Sequence, residues 1–487
     1  MPESRVSDAN QQSARDRADI ALDKLRSQPS DRSRPEKKSL FSLLGAVALV
    51  GLSGIGIFQG ATATATAPVQ PEQEVVSQRT SEQTPEVLTQ MEVTPQMLVA
   101  GRQGQLLGSG KILKFDQFPG LHRDHLKESI PGAPNFRQVE GTNVYGVGQP
   151  TIEGVRNVLE RAGAKEKTVV WTNMREEPVV YINGRSFSLR EEAHPFENSA
   201  DFKGASADSV QRTEEQLRSE ILAEAKANGG RVLLHNETQE GVVSEWVEVS
   251  PETVKTTNQV YRELRSEGYK VDFARVPVTD EKTPESGDLQ AIVKRVAGAE
   301  EGAALIFNCH AGRGRTTTAM VAAQLLQKAQ GAGEQQAFHR VDSVREDIKE
   351  QGNYERGNYR LILSLVKKLD NGLASKAETD EVLDRTEDLQ NLRSDINTYR
   401  EKSLKANDPS SAQRAEARGL DYLHRYHTLI TFNQYVKDQA PQGFEQTFEQ
   451  WLEARPEITD LLQSFELAMT TPLPSLTPGG QPAEQFA

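Results

Sequence analysis

A single cysteine lies in a stretch whose residue types and spacing suit phosphate chemistry. Residues 307–320 read FNCHAGRGRTTTAM, and Cys309 is the one cysteine of the 487-residue chain. A lone thiol cannot close an internal disulfide, so its setting has to be explained by reactivity or by packing. Cys309 precedes two glycines, Gly312 and Gly314, and Arg315 closes a Cys-x5-Arg pattern. This spacing predicts an anion-binding loop with a thiol at its start.

Each of these residue types has a use in phosphoryl transfer. Glycines let the backbone curl so that successive amide N–H groups point at a bound anion, and a helix predicted to begin near Arg315 adds the positive end of its dipole. The same field favours the thiolate form of Cys309, which is the nucleophilic form. Arg315 can clamp two phosphate oxygens, and the hydroxyl of Thr316 can donate to the sulfur and help it leave. The pattern predicts catalysis through a cysteine nucleophile.

Two other interpretations of the loop are weaker. A nucleotide-binding loop would end in Gly-Lys followed by Ser or Thr, and this ending is missing. The remaining alternative is a buried cysteine that serves as a small apolar side chain at a glycine-rich turn between a strand and a helix.

The composition of the chain limits the classes of function. A length of 487 residues suggests two or three domains. The net charge of -13 argues against a nucleic-acid-binding body, because phosphate backbones are held by basic faces. An anionic substrate therefore needs a locally basic pocket. No cofactor and no metal is predicted: His424 and His427 stand three apart on a helix without an evident third ligand, and surface histidines are the favoured interpretation.

The N-terminal region carries a targeting signal. Residues 40–58 contain no charge and are about long enough to span a bilayer as a helix. Three basic residues stand just before them: Arg34, Lys37 and Lys38. The positive-inside rule then places 1–38 in the cytoplasm and exports the rest, to the periplasm if the source is bacterial. A signal anchor over 39–60 is favoured over a signal peptide cleaved within ATATATAP, because the leader is unusually long.

Beyond this segment the chain alternates between strand and helix patterns. Strands are predicted at 168–173, 231–237, 271–278 and 303–309, and helices at 209–230, 254–269, 288–298 and 316–330. A hairpin is predicted at 178–189, because Asn183-Gly184 suits a type I′ turn. Such alternation implies an α/β domain, here 111–370, with a parallel-rich sheet flanked by helices.

The flanking regions differ from this domain in composition. Residues 61–110 and 471–487 are polar and without periodicity, which predicts a disordered linker and a disordered tail. Residues 371–470 show apolar helical faces and no strand signals. They predict an all-helical extension that either packs on the α/β part or stands as a small domain of its own.

At the loop, the chain resembles the cysteine-dependent phosphatases, specifically the protein tyrosine phosphatase-like phytases and the paladin-like proteins. Further segments share the resemblance, in order: NFRQ (135–138), VYGVGQPTIEGVRNVL (144–159), VVWTNMREEPVVYINGRSFSLR (169–190), RVPVTDEKTPE (275–285), LHRYHTLITFNQYV and FEQWLEARPEI. The resemblance covers about 130–468. It implies a tyrosine phosphatase-like fold and hydrolysis of phosphate monoesters through a phosphocysteine intermediate.

The resemblance also implies roles for residues outside the loop. Asp280 matches the general acid, which protonates the leaving oxygen and later activates water; from the residues alone it could equally be a turn residue before Pro284. Lys282 could contact substrate phosphates or be a solvated lysine. Arg175 and Arg137 match positions near the pocket, and the alternative for both is a surface or structural ion pair.

The residues within the loop bear on the substrate. His310 and Arg313 flank the anion on either side of Ala311 and Gly312, and lipid phosphatases place basic residues at the same two positions. This favours an inositol polyphosphate over a phosphotyrosine protein, because added basic residues gain most from added phosphates.

One residue departs from the pattern of these enzymes. Most of them have His before the nucleophile, where Asn308 stands here. A pseudophosphatase that binds inositol phosphates or a protein partner without turnover therefore stays open as a third interpretation.

Overall fold

The computed structural model describes residues 94–116, 125–331 and 353–461. The described residues from Pro95 onward belong to one compact unit. The predicted anchor at 40–58, most of the predicted linker and the predicted tail lie outside them. In the ranges that are described, no helix is both long enough and apolar enough to cross a membrane.

The strands are β1 (Lys111–Phe115), β2 (Arg137–Gln138), β3 (Val144–Val147), β4 (Val169–Arg175), β5 (Val179–Ile182), β6 (Arg185–Glu191), β7 (Arg231–Thr238), β8 (Gly241–Glu248), β9 (Val254–Thr256), β10 (Val271–Val278) and β11 (Ala304–Asn308). The helices are α1 (Pro95–Gly101), α2 (Ile152–Arg161), α3 (Ala207–Ala227), α4 (Thr257–Ser266), α5 (Ser286–Ala297), α6 (Gly314–Ala329), α7 (Arg360–Lys368), α8 (Gly372–Arg385), α9 (Leu392–Leu404), α10 (Pro409–Gln439) and α11 (Phe448–Glu453). The α/β class is confirmed. Helix α1 lies within the segment predicted as linker.

The strands form two sheets. The first has the order β10–β4–β11–β3–β2, with the first four parallel and β2 antiparallel at the edge. This is the predicted parallel-rich sheet. The second has the order β8–β7–β1–β6–β5–β9 and is mainly antiparallel.

The sequence predicted β5, β6 and β7 as strands but did not show that they belong to a second sheet. Its edge strand β8 is exposed or half-buried along its whole length, so it shows neither an apolar run nor a clear alternation. The hairpin within this sheet was predicted correctly. Asn183 and Gly184 have φ of 49° and 82°, and positive φ at both positions is what a type I′ turn requires.

Helices cover both faces of the first sheet because its strands are apolar on both sides. In β11, Leu305 and Phe307 face one core, while Ala304 and Ile306 face the other. Cys309 follows the same alternation and lies in the same core as Leu305 and Phe307.

The helical extension shares this core with the α/β part. Leu429, Phe432 and Trp451 belong to the same buried cluster as the residues of α5 and α6. A hydrogen bond of 3.0 Å from Tyr435 Oη to Gln290 Oε1 joins α10 to α5. Of the two arrangements considered from the sequence, the extension packed on the α/β part is the one observed. Helix α10 thereby reaches the end of the sheet where the loop lies.

Candidate active site

Except for Arg137 in β2, the predicted site residues lie at or just beyond the carboxyl ends of three adjacent parallel strands. Strands β10, β4 and β11 are neighbours, and they are followed by 279–285, 176–177 and 309–313 respectively. In parallel sheets this edge is the usual place for a ligand. We call 309–315 the phosphate loop and 279–285 the acid loop.

The phosphate loop has the predicted strand–loop–helix form. Cys309 follows β11 and is 2% exposed, and α6 begins at Gly314, one residue before the predicted start. Gly312 has a φ of +69°, and a Cβ there would lie 2.5 Å from the amide nitrogen of Gly148. Only glycine therefore fits at this turn, and the predicted curl of the backbone is present.

Arg315 is buried and partly paired by its own neighbours. Its Nη1 donates to both carboxylate oxygens of Glu177 at 3.1 and 3.2 Å and to the carbonyl of Val278 at 3.1 Å. Its Nε lies 3.2 Å from Asp280 Oδ1. Burial by itself would lower the pKa of Arg315, but the charges of Asp280, Glu177 and Cys309 outweigh burial and raise it. Arg315 is therefore a permanent cation beside the thiol.

Part of the hydrogen-bonding capacity of Arg315 is unused within the described residues. Among the described residues, Nη2 of Arg315 has no hydrogen-bond partner, although it is fully buried. The hydroxyl of Thr316 is likewise buried without a partner in the described ranges. Buried donors without acceptors are costly, and the oxygens of a bound anion and the sulfur of Cys309 are acceptors suited to these two donors.

Asp280 is held in the ionised form. Its Oδ2 accepts a 2.7 Å hydrogen bond from Asn198 Nδ2, and its Oδ1 faces Arg315. Desolvation raises the pKa of this carboxyl, but Arg315 and the hydrogen bond from Asn198 bring it below its ordinary value. The side chain is 40% exposed, so it is open to solvent and close to the loop arginine.

Lys282 is engaged elsewhere. Its Nζ lies 2.8 and 2.9 Å from the two carboxylate oxygens of Asp421 in α10. Lys282 is therefore ion-paired with the helical extension while about half of its side chain stays exposed. Its predicted contact with substrate phosphates stays a prediction.

His310 does not have the character expected of a flanking cation. Its Nε2 lies 3.1 Å from Asp116 Oδ1 and 3.2 Å from Arg190 Nη2. Burial lowers the pKa of His310 well below its usual value, and the charge of Arg175 lowers it further. His310 is thus a neutral imidazole at physiological pH, and it links the phosphate loop to the second sheet.

The two arginines predicted near the pocket are buried structural groups. Arg175 binds Asp116 at 2.7 Å and Glu177 at 3.0 Å, which matches the ion-pair alternative. Arg137 donates to Thr317 Oγ1 at 2.8 Å, in the first turn of α6. Burial lowers the pKa of Arg137 to about 10, against the opposing charge of Cys309. Arg137 thus contacts the helix that follows the loop, and Arg175 contacts Glu177, the residue that binds Arg315.

Asn308 is fixed beneath the loop. Its Oδ1 accepts a 2.8 Å hydrogen bond from Trp171 Nε1, and both residues are buried. The residue that replaces the usual histidine therefore ties the end of β11 to β4.

Several site residues were missed from the sequence. Glu177 orients Arg315, and Asn198 joins Arg190 to Asp280 through hydrogen bonds to both. Glu177 lies within the REE segment of the resemblance, which could have singled it out. Asn198 carries no such signal.

The helical extension contributes a cation to the site. Arg425 of α10 is buried, and its Nη1 would lie 3.2 Å from a Cβ placed on Gly314. Nη2 donates to the carbonyl of Lys282 at 3.0 Å, while Nε and Nη1 have no hydrogen-bond partner among the described residues. A second buried arginine thus stands against the phosphate loop.

The histidines of the extension are not a surface pair. His427 is 1% exposed, and burial lowers its pKa to about 3. Within the described ranges, no cluster of three or more His, Cys, Asp or Glu side chains could hold a metal ion.

Comparisons with known proteins show what the chain is similar to. Residues 172–327 match the PTP-like phytase family model, whose description reads "Inositol hexakisphosphate". Paladin from Xenopus tropicalis is 27% identical over 366 residues, covering 72% of this chain and 39% of that protein. The chain therefore spans about two fifths of the length of the curated relatives it matches.

Two solved structures are also similar. The PTP-like myo-inositol phosphatase from Mitsuokella multacida, in complex with myo-inositol-(1,3,4,5)-tetrakisphosphate, is 15% identical with a TM-score of 0.45, and the match covers 72% of this chain and 48% of that one. A PTP-like phytase from Bdellovibrio bacteriovorus is 16% identical with a TM-score of 0.43, covering 70% and 95%. The predicted resemblance is confirmed by the family model and the curated relatives: residues 172–327 match the PTP-like phytase family model, and the paladins are distant homologues of the chain.

Proposed function

We propose that the chain is a phosphatase that hydrolyses inositol polyphosphates through a phosphocysteine intermediate. The observation that carries the proposal is the pairing at the phosphate loop. Arg315 is buried beside Cys309, keeps an unpartnered Nη2 among the described residues, and faces Asp280 at 3.2 Å. Nucleophile, anion clamp and acid therefore occupy one end of one sheet.

The chemistry proceeds in two displacements. The thiolate of Cys309 attacks phosphorus, an S–P bond forms, and the P–O bond to the inositol breaks as Asp280 delivers a proton to the leaving oxygen. Water then attacks the phosphocysteine, Asp280 accepts its proton, and the S–P bond breaks as the Thr316 hydroxyl donates to the sulfur. Arg315 binds the equatorial oxygens in both steps.

Asp280 has to gain a proton before the first step. In the structure it is a carboxylate because Arg315 faces it. A phosphate dianion bound at the loop competes for Arg315 and adds negative charge nearby, and both effects raise the pKa of Asp280. Substrate binding thus prepares the acid.

The site has cations in addition to Arg315, which binds the scissile phosphate. Their presence favours a substrate with several phosphates. Arg313 lies at the rim of the loop with 38% of its side chain exposed, and Arg425 is buried against Gly314. Such charges add most when the ligand carries neighbouring phosphates. The description of the matched family model names inositol hexakisphosphate, in agreement with this choice.

The rival functions predict different outcomes in one assay. Phosphate release by the full chain is measured on inositol hexakisphosphate and on a phosphotyrosine peptide. We expect release from the first and little from the second. Efficient hydrolysis of the peptide alone would favour a tyrosine phosphatase. Binding of inositol hexakisphosphate without release would favour the pseudophosphatase that Asn308 suggests.

Replacing Arg313 tests the polyphosphate substrate directly. Its Nη2 is 3.9 Å from Asp395 Oδ2, which is long for an ion pair. The positive charge of Arg313 is therefore available to a ligand. We expect Arg313→Ala to raise KM for inositol hexakisphosphate on the order of ten- to a hundredfold, as for the loss of a charge-assisted hydrogen bond. KM for p-nitrophenyl phosphate should barely change. Added salt should weaken the wild type more than the variant.

The matched control is Arg414→Ala, which removes an arginine of α10 that binds Ser410 and Ser411. It should leave both substrates unaffected. Equal damage to both substrates by Arg313→Ala would mean that this arginine shapes the loop, and the polyphosphate proposal would lose its main support.

We also propose that residues 40–58 anchor the chain in a membrane with the catalytic domain outside the cytoplasm. The support is the sequence of that segment and the basic residues before it. Protease added to the outer face of the membrane should digest the catalytic domain; complete protection in sealed spheroplasts would contradict this orientation.

A further inference from the structure

The acid loop contains a residue in an unfavourable backbone conformation. Glu281, directly after Asp280, has a φ of +63°. Residues with a Cβ rarely adopt this left-handed conformation unless the surrounding structure holds them there. The contacts of Glu281 and its neighbours therefore decide where Asp280 lies.

These contacts come from one face of α10. Tyr422 Oη donates to Glu281 Oε2 at 2.9 Å, and Arg418 Nη1 lies 2.7 Å from the same oxygen. Asp421 binds Lys282. Positions 418, 421, 422 and 425 follow the spacing i, i+3, i+4, i+7, which places them on one side of a helix. Each of them contacts a residue next to or once removed from the acid.

Tyr422, which donates to Glu281, is itself packed against a neighbouring helix. The ring of Tyr422 packs edge-on against Tyr399 of α9 at 5.5 Å between centroids. Burial raises the pKa of Tyr422, and the charge of Glu281 raises it further, so its hydroxyl remains a donor. The extension therefore presents a packed hydroxyl donor to the carboxylate of Glu281.

The opposite side of the acid loop is also held. Thr279 Oγ1 donates to Glu176 Oε2 at 2.9 Å, and Asn198 donates to Asp280 itself. Asp280 thus stands between two sets of contacts, one from the α/β part and one from the extension.

We propose that this face of α10, through Arg418, Asp421 and Tyr422, is a positioning device that holds Asp280 over the phosphate loop. The role assigned to Asp280 rests on the proposed function. The helical extension then serves catalysis by fixing the acid loop before substrate binds.

Tyr422→Phe tests the positioning role, because it removes one hydroxyl and keeps the ring. We expect kcat for inositol hexakisphosphate to fall about tenfold, as for a hydrogen bond to a charged group, while kcat for p-nitrophenyl phosphate changes less than about twofold. An aryl leaving group needs little acid assistance, so only a displaced acid gives this difference.

The matched control is Tyr435→Phe, which removes another buried tyrosine hydroxyl of α10, bonded to Gln290 away from the loop. It should affect both substrates alike or not at all. The proposal is overturned if Tyr422→Phe slows both substrates equally, or if it has no effect while Asp280→Asn shows the difference between substrates.

Amide hydrogen exchange tests the same contacts without turnover. In the full chain, the amides of 279–283 should exchange about tenfold faster in Tyr422→Phe than in wild type or Tyr435→Phe, because the acid loop has lost one of the hydrogen bonds that hold it. Unchanged exchange would overturn the proposal. Faster exchange in a protein that hydrolyses neither substrate would support the holding role and refute the proposed function.

Discussion

Cys309→Ser is expected to abolish phosphate release from inositol hexakisphosphate and to leave its binding intact. The variant removes the nucleophile, while the loop amides, Arg315 and the dipole of α6 that bind the anion remain. Serine in place of cysteine changes little volume at a site that is 2% exposed, so the fold should survive. Phosphate release and calorimetric binding are measured on the same preparation.

The single thiol gives this prediction an independent control. Under thiol-selective conditions iodoacetamide labels Cys309, the one cysteine of the chain, so loss of activity in the wild type should follow labelling mole for mole. Inorganic phosphate should slow both processes by occupying the loop. Turnover that persists in Cys309→Ser, after purification from contaminating phosphatases, would refute the thiol mechanism.

The local features of this site were predictable because each is encoded by neighbouring residues. The loop between β11 and α6 follows from glycine spacing and a preceding apolar run, and it was placed to within one residue. The turn at Asn183-Gly184 follows from residues that tolerate positive φ. Such rules depend on neighbouring residues and do not require knowing which distant residues pack against them.

The contacts of the charged residues were not predictable in the same way. The sequence shows that Lys282 and His310 are basic, but it does not show that Asp421 and Asp116 are their partners. Those partners lie more than one hundred positions away along the chain. Their pairing is decided by how the extension and the second sheet pack on the first, which strand and helix patterns do not specify.

The same limit explains why Arg425 was missed. It follows Cys309 by more than one hundred residues and lies on a helix whose pattern indicates only an apolar face. Its place beside Gly314 depends on the core that α10 shares with α6. An arginine within the buried part of a helix is a signal that can be sought, since an unpaired buried cation is costly.

Asp280→Asn is expected to slow hydrolysis of inositol hexakisphosphate by ~10²–10⁴-fold, the usual contribution of general acid catalysis. An inositol alkoxide is a poor leaving group and needs the proton, whereas the phenolate of p-nitrophenyl phosphate leaves without it. The loss on the aryl substrate should therefore be much smaller for the first displacement. Single-turnover rates on both substrates measure this difference directly.

The pH dependence follows from the environment of Asp280. Arg315 holds the pKa of this carboxyl below its ordinary value in the free protein, so the proton is gained only when the bound phosphate takes over Arg315. In the wild type, kcat should fall as pH rises through the pKa of Asp280 in the complex. The asparagine cannot titrate, so its profile should lack this alkaline fall.

Asp272→Asn is the matched control, because Asp272 lies at the opposite end of β10 and pairs with Arg295 on the surface. It should keep the wild-type profile and the wild-type ratio of the two substrates. If Asp280→Asn instead damages both substrates equally and retains the alkaline fall, Asp280 is a structural turn residue. Another titrating group at the carboxyl ends of β4 and β10 would then have to supply the proton, and Glu176, whose pKa is raised by burial, would be the first to test.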